Sequence, residues 1–130
     1  MPEVHVLAVL AAALVVFVIG ATYYSVVPPR WAGQSDAGPA ASQPPPWVIA
    51  VEFGRGLVLA AVVAGVASQG KVDGLAGGLL LGLVLWIGFP FVLWAGAIVH
   101  ENTPWRLAAV HAGDWLIKLV VVGALVSVWQ

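Results

Sequence analysis

The chain contains no cysteine. Disulfides, thiolate nucleophiles and cysteine-based metal sites are therefore excluded, and nothing marks a redox compartment. Charge is almost as scarce: Asp, Glu, Lys and Arg make up 8% of the 130 residues, and the formal net charge is -1. Five scattered Lys and Arg residues cannot form the basic surface that nucleic acid or anionic lipid headgroups require, so no nucleic acid partner is expected. The chain also lacks a P-loop, a GxSxG or HExxH motif and a dinucleotide fingerprint. Its glycine-rich GLAGGLLLG has neither the Lys-Ser/Thr ending nor the preceding strand of a phosphate loop. Neither enzymatic activity nor a cofactor is expected.

Apolar residues fill the space left by these absences. They make up 62% of the chain, and the mean hydropathy is +1.01, values that a water-exposed surface could not accommodate at this length. Four runs approach or exceed the roughly 20 residues needed to cross a hydrocarbon core about 30 Å thick. They predict helices over about 4–27, 47–67, 75–99 and 105–129. The expected fold is all-α: one membrane domain over 1–130, a bundle of four transmembrane helices with both termini on the same side. The first run follows Met1, Pro2 and Glu3 without Lys or Arg and is longer than a signal core, so a retained helix is expected.

Between the first two runs, residues 28–46 read PPRWAGQSDAGPAASQPPP, and the six prolines exclude a regular helix. This stretch is expected to be a tether. GKVDG and ENTPWR read as tight turns, which make sequential helices antiparallel neighbours. Trp31, Trp47, Trp105, Tyr23 and Tyr24 gather towards the end where the first and third loops lie, and Trp129 towards the other. Arg30 and Arg106 at one end are balanced by Lys71 and the amino terminus at the other, so charge assigns no orientation.

Against this background the stretch HAGDWLIKLVVVGALVSVW stands out, because an apolar span opens with His111, Asp114 and Lys118. At about 100° per residue, Asp114 lies about 60° from His111 and Lys118 about 40° from Asp114, so the three share a stripe. The second helix offers a partner stripe in VEFGRG, where Glu52 and Arg55 are three residues apart. Counted inward from Trp47 and Trp105, Glu52 matches the depth of His111, and Arg55 that of Asp114. The expectation is a buried polar cluster of Glu52, Arg55, His111, Asp114 and Lys118. In it Glu52 lies near His111, Arg55 near Asp114, and Lys118 is held by Asp114. Such a cluster can serve as structural glue between helices or as a site for protons or ions, and His111 alone has an ordinary pKa near neutrality. A metal at Glu52, His111 and Asp114 is disfavoured by the scarcity of carboxylates and by Arg55.

Gly74, Gly78 and Gly82 recur every four residues, a stripe that permits close approach of another helix within the bundle or of a second copy. Further along, Gly88-Phe89-Pro90 predicts a kink, flanked by Trp86 and Trp94, which are expected to serve in aromatic packing rather than to line a lipid-facing groove.

YYSVVPPRW, LLLGLVLWIGF and HENTPWRLAAVHAGDWLIKLVVVGALVSVW together resemble the bacterial integral-membrane family known as domain of unknown function 1761. The resemblance covers nearly the whole chain and is strongest from Gly78 onwards. It implies a four-helix protein of the cell membrane and marks Tyr24, Ser25 and Trp31 as a recurring element. It brings no activity, substrate or catalytic residue. The proline- and alanine-rich stretch from Ala37 to Pro46 departs from the family pattern.

The sequence thus points to a small non-enzymatic membrane protein. Its expected role is that of a structural or accessory subunit that packs against itself or against a larger membrane complex. The rival is a transporter or proton conductor using the polar cluster. Past Lys118, however, the fourth helix offers only Ser127 and the second only Ser68, so a polar path ends blind.

Overall fold

The structure, a computed structural model, describes residues 5–26 and 46–129. Four helical spans are long and apolar enough to cross a membrane. The first is α1 (Val6–Val26) and the second α2 (Pro46–Gln69). The third runs through α3 (Gly74–Trp86), a π-helical turn (Ile87–Phe91) and α4 (Val92–Glu101). The fourth is α5 (Trp105–Val128). At about 1.5 Å per residue, even the shortest span, 21 residues, covers about 30 Å. Trp31 and nearly all of the proline-rich tether lie outside the described residues.

Short turns link the later spans. After α2 the chain reverses through Lys71 and Gly74, with φ values of 55° and 77°. The amides of Gly70, Lys71 and Val72 bond back to the carbonyls of Val66, Ser68 and Ala67, satisfying the last groups of α2. α4 ends on Asn102 in the left-handed conformation, and Pro104 then opens α5 at a position that needs no N–H donor.

Two kinds of seam hold the bundle together. α3 meets α5 backbone to backbone. A Cβ placed on Gly78 would strike the Gly123 carbonyl and lie 2.7 Å from Ala124 Cα; one on Gly82 would strike the Leu119 carbonyl and lie 2.6 Å from Val120 Cα. Of the three glycines in the stripe, Gly78 and Gly82 therefore face α5. Gly74 does not: it sits at the positive φ of the preceding turn with open space around it. The other seam, between α1 and α2, is looser and built on small side chains. Ala12, Val16, Ala60, Val63 and Ala64 are buried there, and a Cβ on Gly56 would meet Ala13 O at an ordinary 3.4 Å.

At Gly88-Phe89-Pro90, where a proline kink is expected, the helix widens into a π-helical turn with Pro90 inside it. The cause is local: proline has no N–H to give, and its ring crowds the carbonyl one turn back, so a wider turn relieves both conflicts.

Candidate functional site

Where α1 ends and α2 and α5 begin, the helices separate enough to leave a cavity of about 620 Å³. Gly20 on α1 makes part of this room, since a Cβ there would touch the end of Lys118 at 3.5 Å. All five residues expected to cluster line this cavity: Glu52, Arg55, His111, Asp114 and Lys118. Tyr24 joins them, and Phe17, Trp94 and Trp115 supply aromatic wall.

The pairings differ from those expected. Arg55 does not reach across to Asp114; its Nη1 donates to Glu52 Oε1 on the same helix at 2.6 Å. Nor does Glu52 bond to His111. The reason is the rotation of α2. Its contact face is fixed by Gly56, Ala60, Val63, Ala64 and Ala67, all of them small enough for close packing. About 100° per residue then carries Arg55 off that face. The side chains of Arg55 and Glu52 remain 61% and 47% exposed, so this pair is not buried.

The deeper pair does follow the expectation. Lys118 Nζ donates to Asp114 Oδ2 at 2.9 Å, one turn apart on α5, with the two side chains only 14% and 5% exposed. Its third member comes from α1. Tyr24 Oη lies 3.3 Å from Asp114 Oδ2, in position to donate to it, and 2.8 Å from His111 Nδ1. A phenol has one proton. When Tyr24 donates it to the carboxylate, His111 Nδ1 must carry the hydrogen of the shorter contact; when Nδ1 is bare, Tyr24 donates to His111 and Asp114 loses that donor. The trio is therefore coupled through a single hydroxyl.

Aromatic rings fix the orientation of this group. Trp94 stacks on His111 with ring centroids 5.1 Å apart and planes 13° from parallel. The Trp86 indole donates to the Ala112 carbonyl at 2.8 Å, and the Tyr23 hydroxyl donates to Val110 O at 2.7 Å. The two tryptophans beside the π-helical turn thus pack on α5. Gly113 lets Tyr23 approach, since a Cβ there would stand 2.9 Å from its hydroxyl oxygen. Sequence reasoning assigned Tyr23 and Tyr24 to an interfacial aromatic element and missed their bonds to α5. Their position at the level of His111, one helix end against another's beginning, was the available signal.

Two groups at the site are enclosed with no partner among the described residues: Asp114 Oδ1 and the Trp94 indole nitrogen. Farther along the bundle, Ser127 Oγ is likewise unpartnered. Between Lys118 and Ser127 the buried residues are Leu119, Val122, Gly123 and Val126. The polar layer is therefore confined to one end. No group of three or more His, Asp or Glu residues that could hold a metal occurs among the described residues. Both carboxylates of the site are instead engaged by cations of their own helices.

No curated protein and no solved structure matches the chain. One family model does, over residues 7–127, which takes in all but the first residue of the first span and the last residue of the fourth, and every residue of the cavity; the chain belongs to the family described as Protein of unknown function (DUF1761).

Proposed function

We propose that this is a non-catalytic membrane protein, an accessory or self-associating subunit, that engages its partner through the flank of α2 at the mouth of the cavity. One observation carries this reading: the Glu52–Arg55 pair is about half exposed on a helix apolar enough to span a membrane. Insertion of a charged residue at the centre of a membrane helix costs about 2.5 to 3.5 kcal/mol, and hydrogen bonding across helices is the ordinary way to recover part of it. The Asp114–Lys118 pair has such cover from Tyr24 and the bundle; the Glu52–Arg55 pair has it only if another molecule supplies it. With four spans and short later turns, helix faces are the main surface the described residues can present.

Native mass spectrometry of the protein released from its membrane in a mild detergent tests this. A complex with itself or with another membrane protein is the expected result, and a bare monomer under conditions that preserve known weak complexes would refute it.

The second reading, proton or ion movement, draws on the Tyr24–His111–Asp114 contacts, which resemble a short proton relay. The apolar stretch beyond Lys118 argues against it. Proton flux into liposomes should be the same for the wild type and Asp114→Asn; a flux abolished by that substitution would favour conduction instead.

A further inference from the structure

Resting on the accessory or self-associating reading, the geometry points to the partner: a second copy of this chain, docked α2 to α2 in parallel, with Glu52 of each copy paired to Arg55 of the other.

Three features of α2 lead there. First, the helix has two opposed seams. Gly56, Ala60, Val63 and Ala67, spaced four, three and four residues apart, are buried against α1 and α5. Val51, Arg55, Val58, Val62 and Gly65 have alternating spacings of four and three on the other side. That spacing is the 3.5-residue period of a helix pairing with another helix. Val51, Val58 and Val62 are 50%, 65% and 58% exposed, and a Cβ at Gly65 would meet nothing within 4 Å. Second, a charge pair of opposite sign sits at the edge of the outer seam, at the mouth of the cavity that both residues line. A two-fold axis makes such a pair self-complementary, since residue 52 meeting residue 55 implies 55 meeting 52.

Third, depth selects the direction. From Trp47, at about 1.5 Å per residue, Glu52 lies about 8 Å in and Arg55 about 12 Å. In a parallel pair the two residues are offset by about 4.5 Å along the axis, within reach of an arginine. In an antiparallel pair across a core about 30 Å thick, the offset grows to about 10 Å and the exchange fails. The bond from Arg55 to Glu52 of its own chain is then the form the free protomer adopts, and docking trades it for the partner's carboxylate.

The absence of native cysteine makes the test direct, because any thiol introduced is the sole one. Single substitutions Val58→Cys on the outer seam and Leu80→Cys on the exposed face of α3 are oxidised in membranes, and the cross-linked dimer is measured. Val58→Cys should give a major dimer band and Leu80→Cys little. In the Val58→Cys background, Glu52→Lys and Arg55→Glu should each lower the yield about tenfold through like-charge contact. Co-expression of the two, differently tagged, should restore a mixed dimer to near the wild-type yield. That rescue separates lost docking from lost folding. Glu52→Gln and Arg55→Gln should each lower the yield by a smaller factor.

Cross-linking from Leu80→Cys alone would overturn the α2 seam while leaving self-association standing. Undiminished cross-linking in both charge variants would overturn the reciprocal pairing. A wild-type monomer carrying a foreign subunit in native mass spectrometry would overturn the second copy but retain the accessory reading. A wild-type monomer with nothing bound would remove both.

Discussion

Two pairs of opposite charge, each formed within one helix, have opposite surroundings. Asp114 and Lys118 are enclosed on α5, with Tyr24 completing the group from α1 and Trp94 stacked on the adjacent His111. Glu52 and Arg55 make the shorter contact, 2.6 Å against 2.9 Å, yet stand about half exposed on α2. The length of the ion pair therefore says little about its role; its cover says more. An enclosed pair holds the chain that encloses it, because removing one partner leaves an uncompensated charge. A pair without protein cover is held only by its own two members and can exchange them for those of a second molecule.

This contrast can be broken most sharply at Asp114. Asp114→Ala strands Lys118 and should cost about 3 to 5 kcal/mol, seen as loss of folded protein in thermal unfolding in detergent. Replacing both members, as in Asp114→Leu with Lys118→Met, should recover most of that loss, since an apolar pair of similar volume restores packing without a buried charge. In a double-mutant cycle, the Asp114–Lys118 coupling should be large and the Arg55–Asp114 coupling within about 0.5 kcal/mol of zero. A strong Arg55–Asp114 coupling would restore the pairing expected from sequence. Tyr24→Phe removes one hydroxyl shared by His111 and Asp114 and should cost about 1 to 2 kcal/mol in the same unfolding assay. Smallest of all, Glu52→Gln should change the unfolding of the detergent-solubilised monomer by less than about 1 kcal/mol, because the amide oxygen still accepts a hydrogen bond from Arg55. A loss equal to that of Asp114→Ala would erase the distinction between the pairs.

Much of this arrangement could be read from residue order, and the failures have a common cause. The four spans were legible because apolar run length is a one-dimensional property that needs no partner. Depth was legible too: counting from Trp47 and Trp105 brought Glu52, Arg55, His111 and Asp114 to one level, and all four line the same cavity. Azimuth was not. Which way α2 turns about its axis depends on how closely Gly56, Ala60 and Ala67 fit their neighbours, and that competition between faces cannot be judged from spacing alone. Rotation also decided Tyr24. Its hydroxyl could have met headgroups, but the turn of α1 points it at His111 and Asp114. Lys118 was correctly joined to Asp114 because a four-residue separation within a helix requires no knowledge of another element.

The π-helical turn of the third span has a consequence for the phase of that span. Eight residues separate Trp86 from Trp94, which in an unbroken α-helix is about 80° of rotation. A turn that absorbs one extra residue reduces the effective separation to seven, or about 20° the other way, so both indoles can face α5. The inserted residue acts as a phase adjuster: straightening it would swing the half beyond Phe91 round by about 100° and take the Trp94 ring off His111, opening one wall of the cavity with no substitution in it.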